Sequence, residues 1–242
     1  MRQAGLVVAK TLEKIRSEIA VGMTTADLDA LARESIDDHG ATSSFLGYHG
    51  FPAVICASVN DEVVHGIPGE RVIKSADIVS IDCGAIIEGW HGDAAISIVM
   101  PDAAEDISAL SEVTQSSLWA GLAQARVGRH LSDIGHGVEE CIRGAGGYGI
   151  VEEYVGHGIG SQMHMHPPVP NYGRPGRGPR LKAGMALAIE PMVTMGTANV
   201  QVLEDQWTVV TSDGAAAAHW EHSVAITDDG PWVLTSLEGT RL

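Results

Sequence analysis

Residues 72–100 read VIKSADIVSIDCGAIIEGWHGDAAISIVM. Two apolar runs flank a glycine-containing turn, a pattern that predicts a hairpin. Each run carries one acid, and a turn centred between Ile87 and Glu88 would put Asp82 directly opposite Asp93. Facing residues of paired strands have Cβ atoms about 4.5–5.5 Å apart. Two carboxylates that close would repel each other, and a divalent cation would remove the conflict.

Burial of this hairpin is expected, and a solvated hairpin with one acid exposed is the alternative. Val79, Ile81, Ile96 and Ile98 lie beside the acids and favour burial. An anion in a buried strand is costly unless it is paired. The two acids therefore need a positively charged partner.

Three more candidate ligands lie in the second half of the chain. His157 stands in VGHGIG, where the flanking glycines let the backbone approach a ligand closely. Glu190 stands in ALAIEPM, and because Pro191 cannot donate to a ladder, we expect this acid at a strand end or bulge. Glu221 stands in HWEHSVAIT, a run with β propensity. No Lys or Arg lies within five residues of either acid, so structural ion pairs do not easily explain both.

Five residues thus share the character of buried metal ligands: Asp82, Asp93, His157, Glu190 and Glu221. Four carboxylates and one imidazole form an oxygen-rich donor set that suits manganese, iron(II) or cobalt, and zinc is also compatible. Two dications would balance four negative charges and activate a water as the nucleophile. The sequence therefore predicts a two-metal hydrolase.

Composition and charge narrow the classes of protein. A chain of 242 residues with 45% apolar content can form one large domain or two small halves. Its net charge of −16 argues against nucleic acid as a standing partner, and no DNA binding is expected. Cys56, Cys83 and Cys141 form no CxxC pair and predict reduced thiols in the cytoplasm. With no signal peptide and no run of ~18 apolar residues, we expect a soluble protein without membrane contact.

Helical periodicity predicts four helices. The first begins almost at Met1 without a capping residue, and the second starts near Thr24 with Asp27 in its first turn. The third spans residues 106–127, and the fourth follows Ser132.

The sequence also contains an internal repeat. At a constant offset of 106, Val21-Gly22, Asp27-Leu28, Ile36 and Gly40 match Val127-Gly128, Asp133-Ile134, Ile142 and Gly146. A second match, at an offset of 108, places Asp82 and Glu190 at equivalent positions. Such a duplication predicts a pseudo-twofold axis where acids from both halves meet.

Six stretches of sequence form a specific pattern: FLGYHGFPAVICASVNDEVVHGIP, DIVSIDCG, GWHGDAA, GHGIGSQMH, AIEPM and WEHSVAIT. On these motifs, which span the chain nearly end to end, it resembles the type I methionine aminopeptidases. The resemblance implies the pita-bread (creatinase/aminopeptidase) fold, an α/β (α+β) architecture with a central antiparallel sheet and outer helices. It implies one catalytic domain, 1–242, with pseudo-twofold-related halves at about 1–105 and 106–242.

The resemblance also implies ligand roles by position. Asp82 resembles the terminal bidentate ligand of one metal, while Asp93 and Glu221 resemble carboxylates that bridge both. His157 and Glu190 resemble ligands of the other metal. Glu190 is also similar to the acid that helps to handle the proton of the water.

Substrate contacts are implied in the same way. His65 and His164 resemble two non-ligand histidines that hydrogen-bond the scissile amide and stabilise the tetrahedral intermediate. Five residues fall at positions that line the methionine pocket: Tyr48, Phe51, Cys56, Met163 and Trp207. An apolar pocket with soft contacts selects an unbranched thioether by its fit.

The implied activity is removal of the initiator methionine from nascent polypeptide N-termini, with a small second residue preferred. A monomer is expected, with no more than a transient ribosome contact, because no docking extension is evident. His166 departs from the family pattern, standing where an acid is common, and the segment 215–218 puts a monovalent-cation site in doubt.

Two alternatives stay open. An Xaa-Pro dipeptidase or proline aminopeptidase shares the fold and the ligands, but such relatives usually carry a large N-terminal domain, and here the first helix leads straight into the repeat. A non-catalytic binding protein on the same scaffold typically loses ligands, and all five are present.

Overall fold

The computed structural model describes residues 1–242 and contains the four predicted helices. They are α1 (Arg2–Glu18), α2 (Thr25–Asp38), α3 (Glu105–Leu122) and α4 (Leu131–Ala145), with one short 3-10 turn at Tyr48–Gly50. The strands are β1 (Thr42–Ser43), β2 (Ile55–Val59), β3 (Glu62–Val64), β4 (Ile78–Ile87), β5 (Trp90–Val99), β6 (Gly149–Ile150), β7 (Gly156–Gly158), β8 (Met165–Val169), β9 (Ala186–Ile189), β10 (Met192–Thr194), β11 (Val200–Val202), β12 (Val209–Thr211), β13 (Ala217–His219), β14 (His222–Thr227) and β15 (Gly230–Val233).

Two helix ends differ from the sequence prediction. Helix α3 ends at Leu122 instead of continuing to Val127, and α4 starts at Leu131, so that Ser132 lies inside its first turn. The reason lies between the two helices. Gly128, at φ +85°, donates its N–H to the carbonyl of Leu181 at 3.0 Å, which draws the chain away from the helix axis.

Strands β4 and β5 form the predicted hairpin, but the predicted register was wrong by two residues. Gly84, not Asp82, pairs with Asp93. The turn is centred on Glu88 and Gly89, whose φ values of +50° and +77° are typical of a tight two-residue hairpin turn. Because side chains alternate with a period of two, the shift leaves both acids on the same face of the sheet.

The internal repeat is visible as corresponding hydrogen bonds. Gly22 donates its N–H to the carbonyl of Ile73 at 2.9 Å, as Gly128 does to Leu181 at 3.0 Å. Each acceptor also donates its own N–H to the residue after the glycine: Ile73 to the carbonyl of Met23, and Leu181 to that of Arg129, both at 2.8 Å. These pairs reproduce the sequence offsets of 106 and 108. The helices that follow, α2 and α4, both begin with a capping box.

All strand pairs are antiparallel, and two larger sheets organise the molecule. One has the order β1-β4-β2 with β5 paired to β4, and the other has the order β15-β14-β9-β7-β8. Helix α1 packs on β4 and β5, whereas α3 packs on α4. One cluster of 40 buried residues draws on both halves, which therefore share a hydrophobic core.

The two halves meet at a seam beside β5. Ala95 and Glu221 exchange two main-chain hydrogen bonds, at 3.3 and 2.9 Å. On one side of this pair, the Ser223 hydroxyl accepts from the N–H of Asp93 and donates to its carbonyl. On the other side, the Ser97 hydroxyl bridges to β13 in the same manner. None of the four helices could span a lipid bilayer.

Candidate metal centre

Asp82 and Asp93, the two acids from the first half, lie on the face of the hairpin that is directed toward the seam. Asp93 is 3% exposed, and each of Asp82 and Asp93 has one buried carboxylate oxygen, Oδ1, without a hydrogen-bond partner. Burial raises the pKa of Asp82 to about 7. Burial, followed by the charges of Asp82 and Glu190, raises the pKa of Asp93 well above its usual value. Such crowded acids are stable as anions only beside a cation.

His157 enters from β7 of the second half. Its Nδ1–H donates to the carbonyl of Gly158 at 3.0 Å, which leaves the lone pair of Nε2 free. Nε2 lies 3.7 Å from Oδ2 of Asp93 and 3.5 Å from Oε1 of Glu190. Burial, with a smaller contribution from His164, lowers the pKa of His157 to about 4. The imidazole is therefore neutral at pH 7, as a metal ligand must be.

Glu190 and Glu221 occupy breaks between strands. Glu190 follows the last residue of β9, at the strand end that Pro191 predicted, and Glu221 lies between β13 and β14. Burial and neighbouring carboxylates raise the pKa of both well above the usual range. These breaks let both side chains turn toward the cavity, and the two main-chain hydrogen bonds to Ala95 fix the position of Glu221.

The donor set fits a divalent cation. One ligand atom from each of Asp93, His157 and Glu221 lies within 4.8 Å of the others. Oε1 of Glu221 joins the two hairpin Oδ1 atoms as a buried oxygen without a hydrogen-bond partner. Unpaired buried carboxylate oxygens are costly, and a hard or borderline cation would satisfy all three.

All twelve side chains that the sequence predicted for the site line one cavity of about 350 Å³. The acids and His157 form one part of its wall. Another part is apolar: the ring of Phe51 packs edge-on against that of Trp207 with centroids 5.0 Å apart, beside the buried side chains of Cys56 and Met163.

Two more histidines face this cavity. The rings of His164 and His157 are 4.3 Å apart, and Nδ1 of His164 hydrogen-bonds the Tyr48 hydroxyl at 2.7 Å. His65 adopts φ +62°, a conformation that is uncommon for a side-chain-bearing residue. The next residue, Gly66, passes close to β2: a Cβ there would stand 2.5 Å from the carbonyl oxygen of Ala57. Burial lowers the pKa of His65 to about 4.

Comparison with known proteins identifies the family. The sequence pattern of metallopeptidase family M24 matches residues 1–228. "Methionine aminopeptidase 1" of Mycobacterium tuberculosis is 55% identical over 241 residues, which cover 97% of this chain and 91% of the relative. The "Methionine aminopeptidase" of Clostridium acetobutylicum is 52% identical, with 98% and 95% covered.

The chain belongs to metallopeptidase family M24.

A solved M24 structure carries the same fold. The crystal structure of methionine aminopeptidase from Thermotoga maritima superposes with a TM-score of 0.95 at 41% identity, covering 98% of this chain and 95% of that one. The predicted resemblance to methionine aminopeptidases and the predicted pita-bread fold are therefore confirmed. Prolidase from Pyrococcus furiosus also superposes, with a TM-score of 0.76 at 21% identity, and this chain covers 62% of it. That likeness shows a shared fold alone.

Sequence reasoning missed two side chains around Glu190 in this M24 protein. His219 is 1% exposed, and its Nε2, which has no hydrogen-bond partner, lies 3.9 Å from Oε2 of Glu190. Asn171, which is fully buried, donates from Nδ2 to the carbonyl of Glu190 at 3.1 Å. His219 could have been found from its position, because it precedes Glu221 by two residues in extended chain and so shares its face. Nothing in the segment around Asn171 signals its role.

Proposed function

We propose that this metallopeptidase removes the N-terminal methionine of newly made polypeptides, using two divalent cations. The observation that carries the proposal is the composition of one cavity. Three unpartnered carboxylate oxygens and a neutral imidazole lie in the same cavity as an apolar, sulfur-containing wall. A charged reaction centre beside an apolar pocket suits a hydrolase that cuts next to an apolar side chain.

Each ligand has a proposed part. Asp82 would hold one cation, His157 and Glu190 would hold the second, and Asp93 and Glu221 would be shared by both. The pair of cations would supply Lewis acidity, which acidifies a water and polarises the scissile carbonyl. Cobalt, manganese, iron(II) and zinc all suit these ligands. The seam supports the bridging roles, because the main chain of Glu221 pairs there with Ala95, two residues from Asp93.

Protein groups orient the peptide and move the proton. Glu190 accepts the proton of the attacking water, since its carboxylate borders the same cluster. His65 and His164 hydrogen-bond the scissile amide and stabilise the oxyanion of the tetrahedral intermediate. The Tyr48 hydroxyl bonds to Nδ1 of His164, which leaves Nε2 of that ring for the substrate.

Substrate selection follows from the other wall. The methionine side chain packs among Tyr48, Phe51, Cys56, Met163 and Trp207. The sulfur atoms and aromatic rings there suit a polarisable, unbranched thioether. A small second residue is preferred, because a bulky one would clash near the cations.

The finer setting is also proposed. The whole chain, 1–242, acts as one catalytic domain with halves 1–105 and 106–242, and a single chain supplies every cavity residue, as a monomer requires. Its three cysteines are free, which suits the cytoplasm, where nascent chains are found. We expect neither DNA nor a membrane as a partner. We do expect a transient contact with the ribosome.

One assay tests the substrate and the metals together. The protein is stripped with a chelator, supplied with manganese or cobalt, and offered Met-Ala-Ser and an Xaa-Pro peptide. We expect no turnover after stripping, recovery with metal, and release of methionine from Met-Ala-Ser. Cleavage of the Xaa-Pro peptide alone would instead identify a prolidase, the alternative that the shared fold leaves open.

A further inference from the structure

Positive charge is concentrated in two short segments of an acidic chain. Residues 126–130 and 172–182 contain no Asp or Glu, yet they hold six of the 15 Lys and Arg residues, while the net charge of the chain is −16. All six side chains are exposed. They define what we call the arginine surface: Arg126, Arg129, Arg174, Arg177, Arg180 and Lys182.

Main-chain hydrogen bonds bring the two segments together. Leu181 donates its N–H to the carbonyl of Arg129 at 2.8 Å, and His130 pairs with Arg180 in an antiparallel bridge. The N–H of Arg177 donates to the hydroxyl of Ser132 at 2.8 Å, at the start of α4. Cations that are distant in sequence therefore share one face.

No acid forms an ion pair with this face, although the charge of Arg129 is one of the smaller influences that lower the pKa of Asp133. None of the six side chains forms an ion pair within 4.0 Å; Arg126 and Arg180 donate only to main-chain carbonyls. The acids beneath are committed to the backbone. Asp133 accepts the N–H of Gly176 at 2.7 Å, and Glu139 accepts that of Gly173 at 2.9 Å.

The first half shows that this backbone does not need the cations. The equivalent turn at residues 20–24 has the same hydrogen bonds and no charged residue. In its partner segment, 66–74, Glu70 offsets one cation and Arg71 pairs with Glu62 at 2.6 Å. The same hydrogen-bond pattern thus forms without a positive face, so this backbone does not require the six cations.

We propose that the arginine surface binds RNA through its phosphates. Guanidinium groups match phosphate oxygens in a bidentate fashion, and unpaired ones lose no existing contact on binding. At physiological salt the Debye length is about 8 Å, so the acids elsewhere on the molecule are largely screened from this face. The net charge of the chain argues against nucleic acid, but within one Debye length of the arginine surface the local positive charge determines whether a phosphate is attracted. The inference rests on the proposed function, because chains that lose their first methionine emerge from an RNA-rich particle, the ribosome.

Two variants with equal change in charge test the inference. R129Q/R174Q/R177Q removes three cations whose side chains make no hydrogen bond or ion pair in the structure. K10Q/K14Q/R33Q removes three exposed or half-exposed cations from α1 and α2. Each takes the net charge from −16 to −19. The α1/α2 variant also breaks the ion pairs of Lys14 with Glu34 and of Arg33 with Asp29, so it is the more disruptive of the two changes. Binding of an unstructured single-stranded RNA is followed by fluorescence anisotropy between about 50 and 200 mM salt.

We expect the parent protein to bind with an affinity that falls with salt, and each lost phosphate contact to reduce the log–log slope by about 0.7. The arginine-surface variant should bind at least tenfold more weakly, and the α1/α2 variant within about twofold of the parent. Absence of binding by the parent at the lowest salt, equal losses in both variants, or equal binding of polyglutamate would each overturn the inference.

Turnover of Met-Ala-Ser separates this inference from the proposed function. The arginine surface contributes no residue to the cavity, so all three proteins should cleave the peptide at the same rate. Normal turnover without RNA binding would refute the RNA-binding inference and leave the proposed function standing. RNA binding without turnover, in metal-loaded protein, contradicts the proposed activity and with it the ribosomal rationale for the surface.

Discussion

The two halves of the molecule share a backbone pattern and differ in the chemistry they place on it. Each half turns through a glycine, bonds back to an apolar residue some 50 positions later, and starts a helix with a capping box. The first half then supplies two acids from one hairpin of ten-residue strands, Asp82 and Asp93. The second supplies its candidate ligands from a three-residue strand and from two strand breaks. The halves thus share their turns and helix starts and one pair of equivalent acids, Asp82 and Glu190, and differ in the elements that carry the other candidate ligands.

The largest effect should come from removing a bridging acid of the first half. Asp93→Asn keeps the shape of the side chain but removes its charge, so we expect turnover to fall by more than about 100-fold, beyond the cost of losing an outer-sphere partner. Metal content after desalting should fall with it. Mass spectrometry of bound metal and peptide turnover measure the two losses.

Glu221→Gln is the matched change in the second half. If the halves cooperate in one centre, both variants lose metal and activity together. Full metal retention in either variant would show that one half binds the cations unaided.

A smaller loss is expected at His65. Because Asn tolerates positive φ, His65→Asn preserves the backbone at φ +62° and removes the imidazole. Turnover should fall about 100- to 1,000-fold, the range for losing one oxyanion donor, while bound metal stays unchanged. His166→Asn, an exposed change on β8, is the control. Loss of metal from the His65 variant would reassign that residue as a ligand.

The pocket wall tests a contact made by both halves, Phe51 against Trp207. Trp207→Ala should lower kcat/KM for a methionine peptide by about 10- to 100-fold, the range for lost apolar contacts in a specificity pocket. Most of the change should appear in KM, because the wall does not touch the reacting amide. A leucine peptide should lose less than the methionine peptide, and an equal loss for both would show that Trp207 does not contribute to selection.

The capping acids compare the halves at the scale of single hydrogen bonds. Asp27 accepts from Thr24, whereas Asp133 accepts from His130 and also from Gly176, which lies in the segment 172–182. Asp133→Ala should therefore destabilise the fold by about 1–2 kcal/mol and by more than Asp27→Ala does. Denaturant midpoints at fixed metal concentration measure the difference.

Acid should erase that difference. Hydrogen bonds from Thr24 lower the pKa of Asp27; burial alone would raise that of Asp133, but bonds from Gly176 and His130 outweigh it and lower it too. A lowered pKa means that the stabilisation is complete above the unfolded-state value of about 3.9 and is lost as pH falls through the folded-state value. A gap between variant and parent that persists at pH about 2 would show that the carboxylate charge is not its source.

Local pattern and spacing were enough to predict the repeat, the hairpin and the five candidate ligands. The histidines and the apolar residues around the cavity followed only from the resemblance to methionine aminopeptidases. The register of the hairpin was not predicted correctly. It is set by the dipeptide Glu88-Gly89, which favours a tight turn, whereas the prediction was based on placing the two acids opposite each other. The end of α3 could not be read either, since the bond from Gly128 to Leu181 is a tertiary contact. The ligand roles themselves stay predictions that only metal binding can test.

The seam between Ala95 and Glu221 has a consequence for how the enzyme comes into being. Its donors arrive in order as the chain is synthesised, two early and three late, and Glu221 is the last. A partly translated copy lacks Glu221 and cannot form its hydrogen-bonded pair with Ala95, so the seam stays open. The molecule that trims newborn proteins would thus stay inactive during most of its own birth, and would reach competence only when ribosomes have delivered its final acid.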